Sequence, residues 1–129
     1  MIHQVSILGS TGSIGQSTLE VVSGRPEYAV FALSGHKNIK MLSVQCQNHR
    51  PQYAVLSDPD DAALLAREFV ELGLDTVVLG GEQALQQIAA DPAVDIVMAA
   101  IVGGAGLRPT FAAVQAGKKV LLANKESLV

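Results

Sequence analysis

Six short runs of apolar, largely β-branched or aromatic residues recur along the chain, at Gln4–Leu8, Tyr28–Ser34, Tyr53–Leu56, Thr76–Leu79, Ile96–Ala100 and Lys119–Leu122. Each is too short for a helix, and several are continuously apolar rather than alternating, as strands covered on both faces are. Between them lie segments with helical periodicity and good helix formers: Ser17–Ser23, Ile39–Asn48, Asp60–Leu72, Gln83–Ala90 and Pro109–Ala116. Parallel neighbours need crossover connections, so this alternation predicts an α/β domain with a doubly wound parallel sheet and helices on both faces, the Rossmann arrangement. A hydrophobic share of 49% against 16% charged residues suits such a sheet. Punctuation agrees. Gly24-Arg25-Pro26, Leu72-Gly73-Leu74 and Ala116-Gly117-Lys118 put glycine at or near the C′ position of three helices, while Ser57-Asp58-Pro59 and Leu107-Arg108-Pro109 put proline in or near a first turn. No residue pattern repeats at a fixed period, which excludes a solenoid, and no low-complexity linker divides the chain, so one domain is expected.

Several function classes fall away. A formal charge of -3, with nine basic residues scattered through the sequence, gives no footprint for nucleic acid. The single cysteine, Cys46, leaves no internal disulfide or cysteine metal cluster and fits an intracellular protein, with the thiol packed on a helix. Met1-Ile2-His3-Gln4-Val5 runs straight into a strand without a leader pattern, so the cytoplasm is the expected compartment. Every apolar run is broken well short of a membrane span. His3 and His49 have no partners at ligand spacing, so no metal site is expected. Asp58, Asp60, Asp61, Glu68 and Glu71 read as the solvated side of one helix, and Phe31, Phe69, Phe111, Tyr28 and Tyr53 as core or core-edge.

Chemistry enters at Gly9-Ser10-Thr11-Gly12-Ser13-Ile14-Gly15, which follows the first strand and opens a helix. In that context a Gly-x-x-Gly-x-x-Gly turn suits a dinucleotide pyrophosphate: Gly9 makes the tight turn, Gly12 admits the ligand to the backbone, and Gly15 allows close helix–strand packing. The anion then faces the positive end of the helix. Ser10, Thr11 and Ser13 are expected to add hydroxyl donors. The spacing is one residue wider than G-x-G-x-x-G, and no Gly-Lys-Ser/Thr closes the turn, which excludes a P-loop.

The loop after the second strand selects the cofactor. A carboxylate there would bind the ribose 2′-hydroxyl of NAD and repel a 2′-phosphate, but the chain reads Gly35-His36-Lys37-Asn38, with a cation, an imidazole and an amide. NADPH is the physical choice. The same loop also reads as a solvated connection with Asn38 as N-cap, and both readings can hold together.

After the fifth strand, Ala99-Ala100-Ile101-Val102-Gly103-Gly104-Ala105-Gly106 offers backbone that can approach a ribose or nicotinamide, or a mobile loop before a helix; no side-chain chemistry is assigned to it. After the sixth, Asn124-Lys125-Glu126 arrives at the same sheet edge. One reading gives Lys125 a substrate anion or carbonyl and Asn124 and Glu126 the ribose hydroxyls. The other is a helix start with Asn124 as N-cap and Glu126 in the first turn, which accounts for Asn and Glu better than for Lys.

Taken together, Gly-Ser-Thr-Gly-Ser-Ile-Gly at 9–15, Lys37-Asn38, Ala-Ala-Ile-Val-Gly-Gly-Ala-Gly at 99–106 and Leu-Leu-Ala-Asn-Lys-Glu-Ser-Leu-Val at 121–129 closely resemble the 1-deoxy-D-xylulose 5-phosphate reductoisomerase family along the whole chain. The resemblance implies an NADPH-dependent oxidoreductase that isomerises and reduces 1-deoxy-D-xylulose 5-phosphate to 2-C-methyl-D-erythritol 4-phosphate in the non-mevalonate isoprenoid pathway. It also implies a divalent metal, manganese or magnesium, and a homodimer. By resemblance, Thr11, Gly12, Ser13 and Ile14 bind the pyrophosphate region, Lys37 and Asn38 the 2′-phosphate side, Asn124 and Glu126 the cofactor, and Lys125 the phosphorylated sugar substrate. Gly9, Gly15, Gly35 and His36 join the cofactor set. His36 departs from relatives that often carry a small residue there, with Gly35 expected to supply the backbone freedom. The family's chain is about threefold longer on domain-size grounds, so residues 1–129 are expected to be its NADPH-binding domain. The catalytic and C-terminal domains would then be absent, and the chain inactive alone. The rivals are a stand-alone NADPH-binding or sensing module, and the cofactor domain of another NADP dehydrogenase of the aspartate-semialdehyde or dihydrodipicolinate type, which shares the turn but lacks the Ala-Asn-Lys-Glu-Ser block.

Overall fold

A computed structural model describes residues 2–101 and 107–122. In chain order these form β1 (His3–Leu8), α1 (Ser13–Ser23), β2 (Tyr28–Gly35), α2 (Ile39–His49), β3 (Tyr53–Leu56), α3 (Pro59–Leu72), β4 (Val77–Gly80), α4 (Glu82–Ala90), β5 (Ile96–Ala99), α5 (Leu107–Gln115) and β6 (Lys119–Leu122). All strand pairs are parallel, in the order β4-β3-β2-β1-β5-β6. The chain lays β1 to β4 outward in one direction, then returns across the sheet to add β5 and β6 on the other side of β1. On one face α1, α2 and α3 bury Leu19, Val22, Leu42, Leu65 and Phe69 against Val5, Ile7 and Leu33. On the other, α4 and α5 bury Ala84, Ile88 and Ala113 against Leu8, Ala32 and Val97. This is the doubly wound Rossmann sheet that the alternation predicts. Among the described residues no helix is long and apolar enough to cross a membrane.

Continuous apolar runs such as Val30-Phe31-Ala32-Leu33 do not reveal which side chain faces which core. The pairing does: Val5 opposes Val30 but Ser6 opposes Ala32, so Phe31 is the extra residue of a bulge. Phe31 and Ala32 therefore both join the α4/α5 core while Val30 and Leu33 face the other. A one-residue shift inverts the facing of everything that follows it.

Several boundaries differ from the sequence reading. Helix α1 begins at Ser13, where the glycine turn opens it, ahead of the Ser17–Ser23 segment that helix propensity marks, because Gly15 weakens the propensity of the first turn. Strand β4 runs from Val77 to Gly80 rather than from Thr76, whose buried hydroxyl donates to the Pro51 carbonyl at 2.5 Å. Asp58 is not on the helix face but caps α3, accepting from the Asp60 N–H at 2.8 Å, with Pro59 in the first turn. Gly24 ends α1 with φ −81° and is not left-handed, whereas Gly73 ends α3 at φ 71° in a Schellman pair, Leu74 N–H to Phe69 and Gly73 N–H to Val70. Cys46 is fully buried on α2, and desolvation pushes its thiol up to about 12, so it packs as an apolar side chain.

Candidate functional site

The carboxyl end of β1 turns into α1 through Gly9–Gly12, and three glycines do three different things there. Gly9 has φ +80°, and a Cβ on it would stand 2.9 Å from the Ala100 carbonyl oxygen beyond β5, so the tight turn needs glycine twice over. A Cβ on Gly15 would overlap the Gly9 carbonyl oxygen and stand 2.7 Å from Ser10 Cα. Its bareness thus seats the helix on the turn itself, rather than on the strand as expected. Gly12 is different: its φ of −73° suits any residue, and a Cβ would find one atom within reach, the Gly9 oxygen at 3.8 Å. No packing among the described residues calls for glycine at that position. What it leaves bare is an approach to the backbone from solvent.

That approach meets the start of α1. The Gln16 N–H donates to the Gly12 carbonyl at 2.8 Å, so the N–H groups of Ser13, Ile14 and Gly15 precede the first helical bond, and among the described residues no side chain caps them. The first turn carries no carboxylate. Uncapped donors and the helix dipole together favour an anion. Thr11, half-buried, and Ser13, exposed, have hydroxyls at this rim.

Ser10 does not join them, contrary to the expectation. It is fully buried; its hydroxyl donates to Gln45 Oε1 at 2.7 Å and lies 3.2 Å from the Ser34 carbonyl oxygen. The Gly9 N–H donates to Ser34 Oγ and the Ser10 N–H to the Ser34 carbonyl, both at 2.8 Å. The end of β2 therefore holds the turn. Neither Ser34 nor Gln45 stands out in a linear reading. The signal was a glutamine between Leu42 and Cys46 on the inward side of α2, since a buried amide needs a partner.

The second-strand loop lies against the turn. Gly35 ends β2 without a positive φ, and a Cβ would come within 3.0 Å of Thr11 Cγ2 and 3.2 Å of Thr11 Oγ1. Its small size makes room for Thr11 and does not serve backbone freedom, which corrects the expectation for that residue. His36 Nδ1 and Ser57 Oγ are 2.8 Å apart, linking the loop to the end of β3. Lys37 is exposed beside it. Asn38 is the N-cap of α2, its Oδ1 accepting from the Met41 N–H at 3.1 Å.

At the far side, the Ala100 N–H donates to the Leu8 carbonyl at 2.9 Å, carrying the β5 end up against Gly9. Val102 to Gly106 of the following loop lie outside the described residues, as do Asn124, Lys125 and Glu126. Among the described residues no three His, Cys, Asp or Glu side chains converge in a way that could hold a metal ion.

A family model for 1-deoxy-D-xylulose 5-phosphate reductoisomerase matches residues 5–129. A protein of that name from Pseudomonas syringae pv. syringae is 61% identical over 128 residues, which is 98% of this chain and 32% of that protein. A crystal structure of DOX-P reductoisomerase in complex with NADPH, fosmidomycin and magnesium superposes with TM-score 0.91 at 46% identity, over 98% of this chain and 31% of that one. The Zymomonas mobilis 1-deoxy-D-xylulose 5-phosphate reductoisomerase, solved in complex with NADPH, gives 0.88 at 40%, over 99% and 33%. The chain spans about a third of the length of the curated relatives it matches.

Proposed function

This chain belongs to the 1-deoxy-D-xylulose 5-phosphate reductoisomerase family, and on that premise we propose that residues 1–129 are its NADPH-binding domain, with the pyrophosphate on the Gly9–Gly15 turn. The observation that carries the proposal is the open backbone at Gly12 ahead of the uncapped α1 N-terminus. A bare Cα that no packing among the described residues calls for, next to uncapped N–H donors and with no carboxylate in the first turn of the helix, fits a dinucleotide.

In this reading Thr11, Gly12, Ser13 and Ile14 hold the pyrophosphate, while Gly9 and Gly15 shape the turn. Lys37 and Asn38 receive the 2′-phosphate, with Gly35 bringing their loop against Thr11 and the Ser57 hydroxyl orienting His36. A cation on a carboxylate-free loop is what distinguishes a 2′-phosphate from a 2′-hydroxyl. Asn124 and Glu126 are assigned to the cofactor and Lys125 to the substrate on the family resemblance. Bound NADPH supplies the hydride for the reduction half of the family reaction.

The reductoisomerase activity belongs to the whole family protein, as do its phosphorylated sugar substrate, homodimer and cytoplasmic setting. The described residues do not fit a divalent metal, so we assign that ion to the catalytic part of the family protein. By itself the chain binds cofactor without turnover.

Calorimetric titration of the chain with NADPH, NADH and ADP-ribose 2′-phosphate tests this. NADPH and the 2′-phosphorylated fragment should bind more tightly than NADH, and Lys37→Ala should narrow that gap by about tenfold. NADH binding as tightly as NADPH would overturn the 2′-phosphate assignment.

A further inference from the structure

We propose that Gln45, in the middle of α2, is a positioning residue for the pyrophosphate turn, an inference that rests on the NADPH reading above. Gln45 is 6% exposed and spends both ends of its carboxamide on one residue 35 positions away. Its Oε1 accepts from the Ser10 hydroxyl at 2.7 Å and its Nε2 donates to the Ser10 carbonyl at 2.8 Å. Ser34 takes the other side of the turn, accepting the Gly9 and Ser10 N–H groups. Gly9 and Ser10 are thus tied to β2 on one side and to α2 on the other.

The consequence lies one peptide further on. A trans peptide is planar, with its C=O and N–H pointing in opposite directions. Because Gln45 draws the Ser10 carbonyl inward, the Thr11 N–H of the same peptide is directed outward, where among the described residues it meets no acceptor. Gln45 therefore sets the direction of a donor at the mouth of the site without touching the ligand. The same helix begins at Asn38, next to Lys37 and roughly 10 Å along its axis from Gln45. One rigid element grips the pyrophosphate turn and presents the 2′-phosphate loop, fixing the spacing between the two.

Gln45→Met keeps the side chain's length and removes both hydrogen bonds. It should weaken NADPH, NADH and ADP-ribose by a common factor of about ten, leaving the NADPH-to-NADH preference unchanged. Adenosine 2′-monophosphate, which has no pyrophosphate, should bind it as it binds the unsubstituted chain. A purely structural glutamine would instead lower Tm and leave the affinities untouched well below Tm, and that result overturns the proposal. Should the variant not fold, the unsubstituted chain still decides. The Gln45 side-chain amide resonances should shift when ADP-ribose binds and stay in place with adenosine 2′-monophosphate; no shift with ADP-ribose bound overturns the proposal. If the unsubstituted chain binds neither NADPH nor ADP-ribose, the cofactor reading falls and this one with it. If it binds both and Gln45→Met binds them equally well, positioning alone is refuted.

Discussion

Gly12 and Gly15 lie in the same turn, yet a methyl group added to each would meet opposite surroundings. At Gly12 the backbone is extended and the space is open, so Gly12→Val should leave stability within about 0.5 kcal/mol while weakening NADPH at least about tenfold by blocking the pyrophosphate. At Gly15 the new atom would overlap the Gly9 carbonyl, so Gly15→Ala should destabilise the fold by about 1–3 kcal/mol or more as helix and turn are forced apart. Thermal melts and NADPH titration on the two variants check this pair; equal losses of Tm would contradict it. The spacing of these glycines and their separate roles were plain in the sequence, but not that Gly15 packs on the turn rather than on the strand. Gly35 was misassigned for the same reason, because the side chain it accommodates, Thr11, is distant in sequence. Ser10 shows the limit most clearly: its hydroxyl type suits a phosphate as well as a neighbouring amide, and only burial beside Gln45 tells the two apart.

At the scale of the element, α2 is the segment whose ends decide most. Asn38 caps it, so Asn38→Ala should cost about 1 kcal/mol and Asn38→Ser should recover most of that. NADPH affinity that falls in both variants would mark a separate contact by the amide; affinity that follows stability alone would leave Asn38 with the cap only. At the other end Arg50 occupies the left-handed region at φ 47°, and Arg50→Gly should stabilise by about 0.5–1 kcal/mol once the greater freedom of glycine in the unfolded chain is deducted. Denaturant midpoints read both effects. His49 in the last turn is partly buried, and desolvation lowers its pKa below the ordinary 6.5. The unfolded chain then takes up the proton more readily than the folded one, so this contribution to stability is complete above pH 6.5 and is lost as pH falls through the lower folded value. Urea midpoints at pH 5 and 7.5 should differ less in His49→Gln. The existence and order of all these elements were legible from hydrophobic runs and helix periods. The start of α1 at Ser13 was legible from the glycine turn though not from helix propensity, whereas the Phe31 bulge was not legible at all, because a continuously apolar strand carries no record of phase.

For the molecule as a whole, the reversal of strand order between β1 and β5 dictates where a ligand can lie. Crossovers α1 to α3 occupy one face and α4 and α5 the other, so the connections leaving the carboxyl ends of β1 and β5 turn to opposite faces, the arrangement that places a ligand crevice at a switch point. The Gly9 turn stands at that point, flanked by the His36–Ser57 link at the ends of β2 and β3 and by Ala100 at the end of β5. Strand β4 is at the edge, and its end is closed locally by the Gly81 N–H on the Leu56 carbonyl at 3.0 Å. A dinucleotide laid across the crevice should therefore slow amide hydrogen exchange at Thr11, Ser13, Ile14 and Lys37, and at Ile101 on the opposite lip. Gly80 and Gly81 should exchange at an unchanged rate, because they belong to the same sheet but not to the switch point. Slowing spread evenly over all six strands would indicate general tightening of the fold by mass action rather than a ligand seated at the reversal. A local footprint on Thr11 through Ile14 with Lys37 silent would place the pyrophosphate but remove the 2′-phosphate from the second-strand loop, leaving the proposed preference for NADPH without its physical basis.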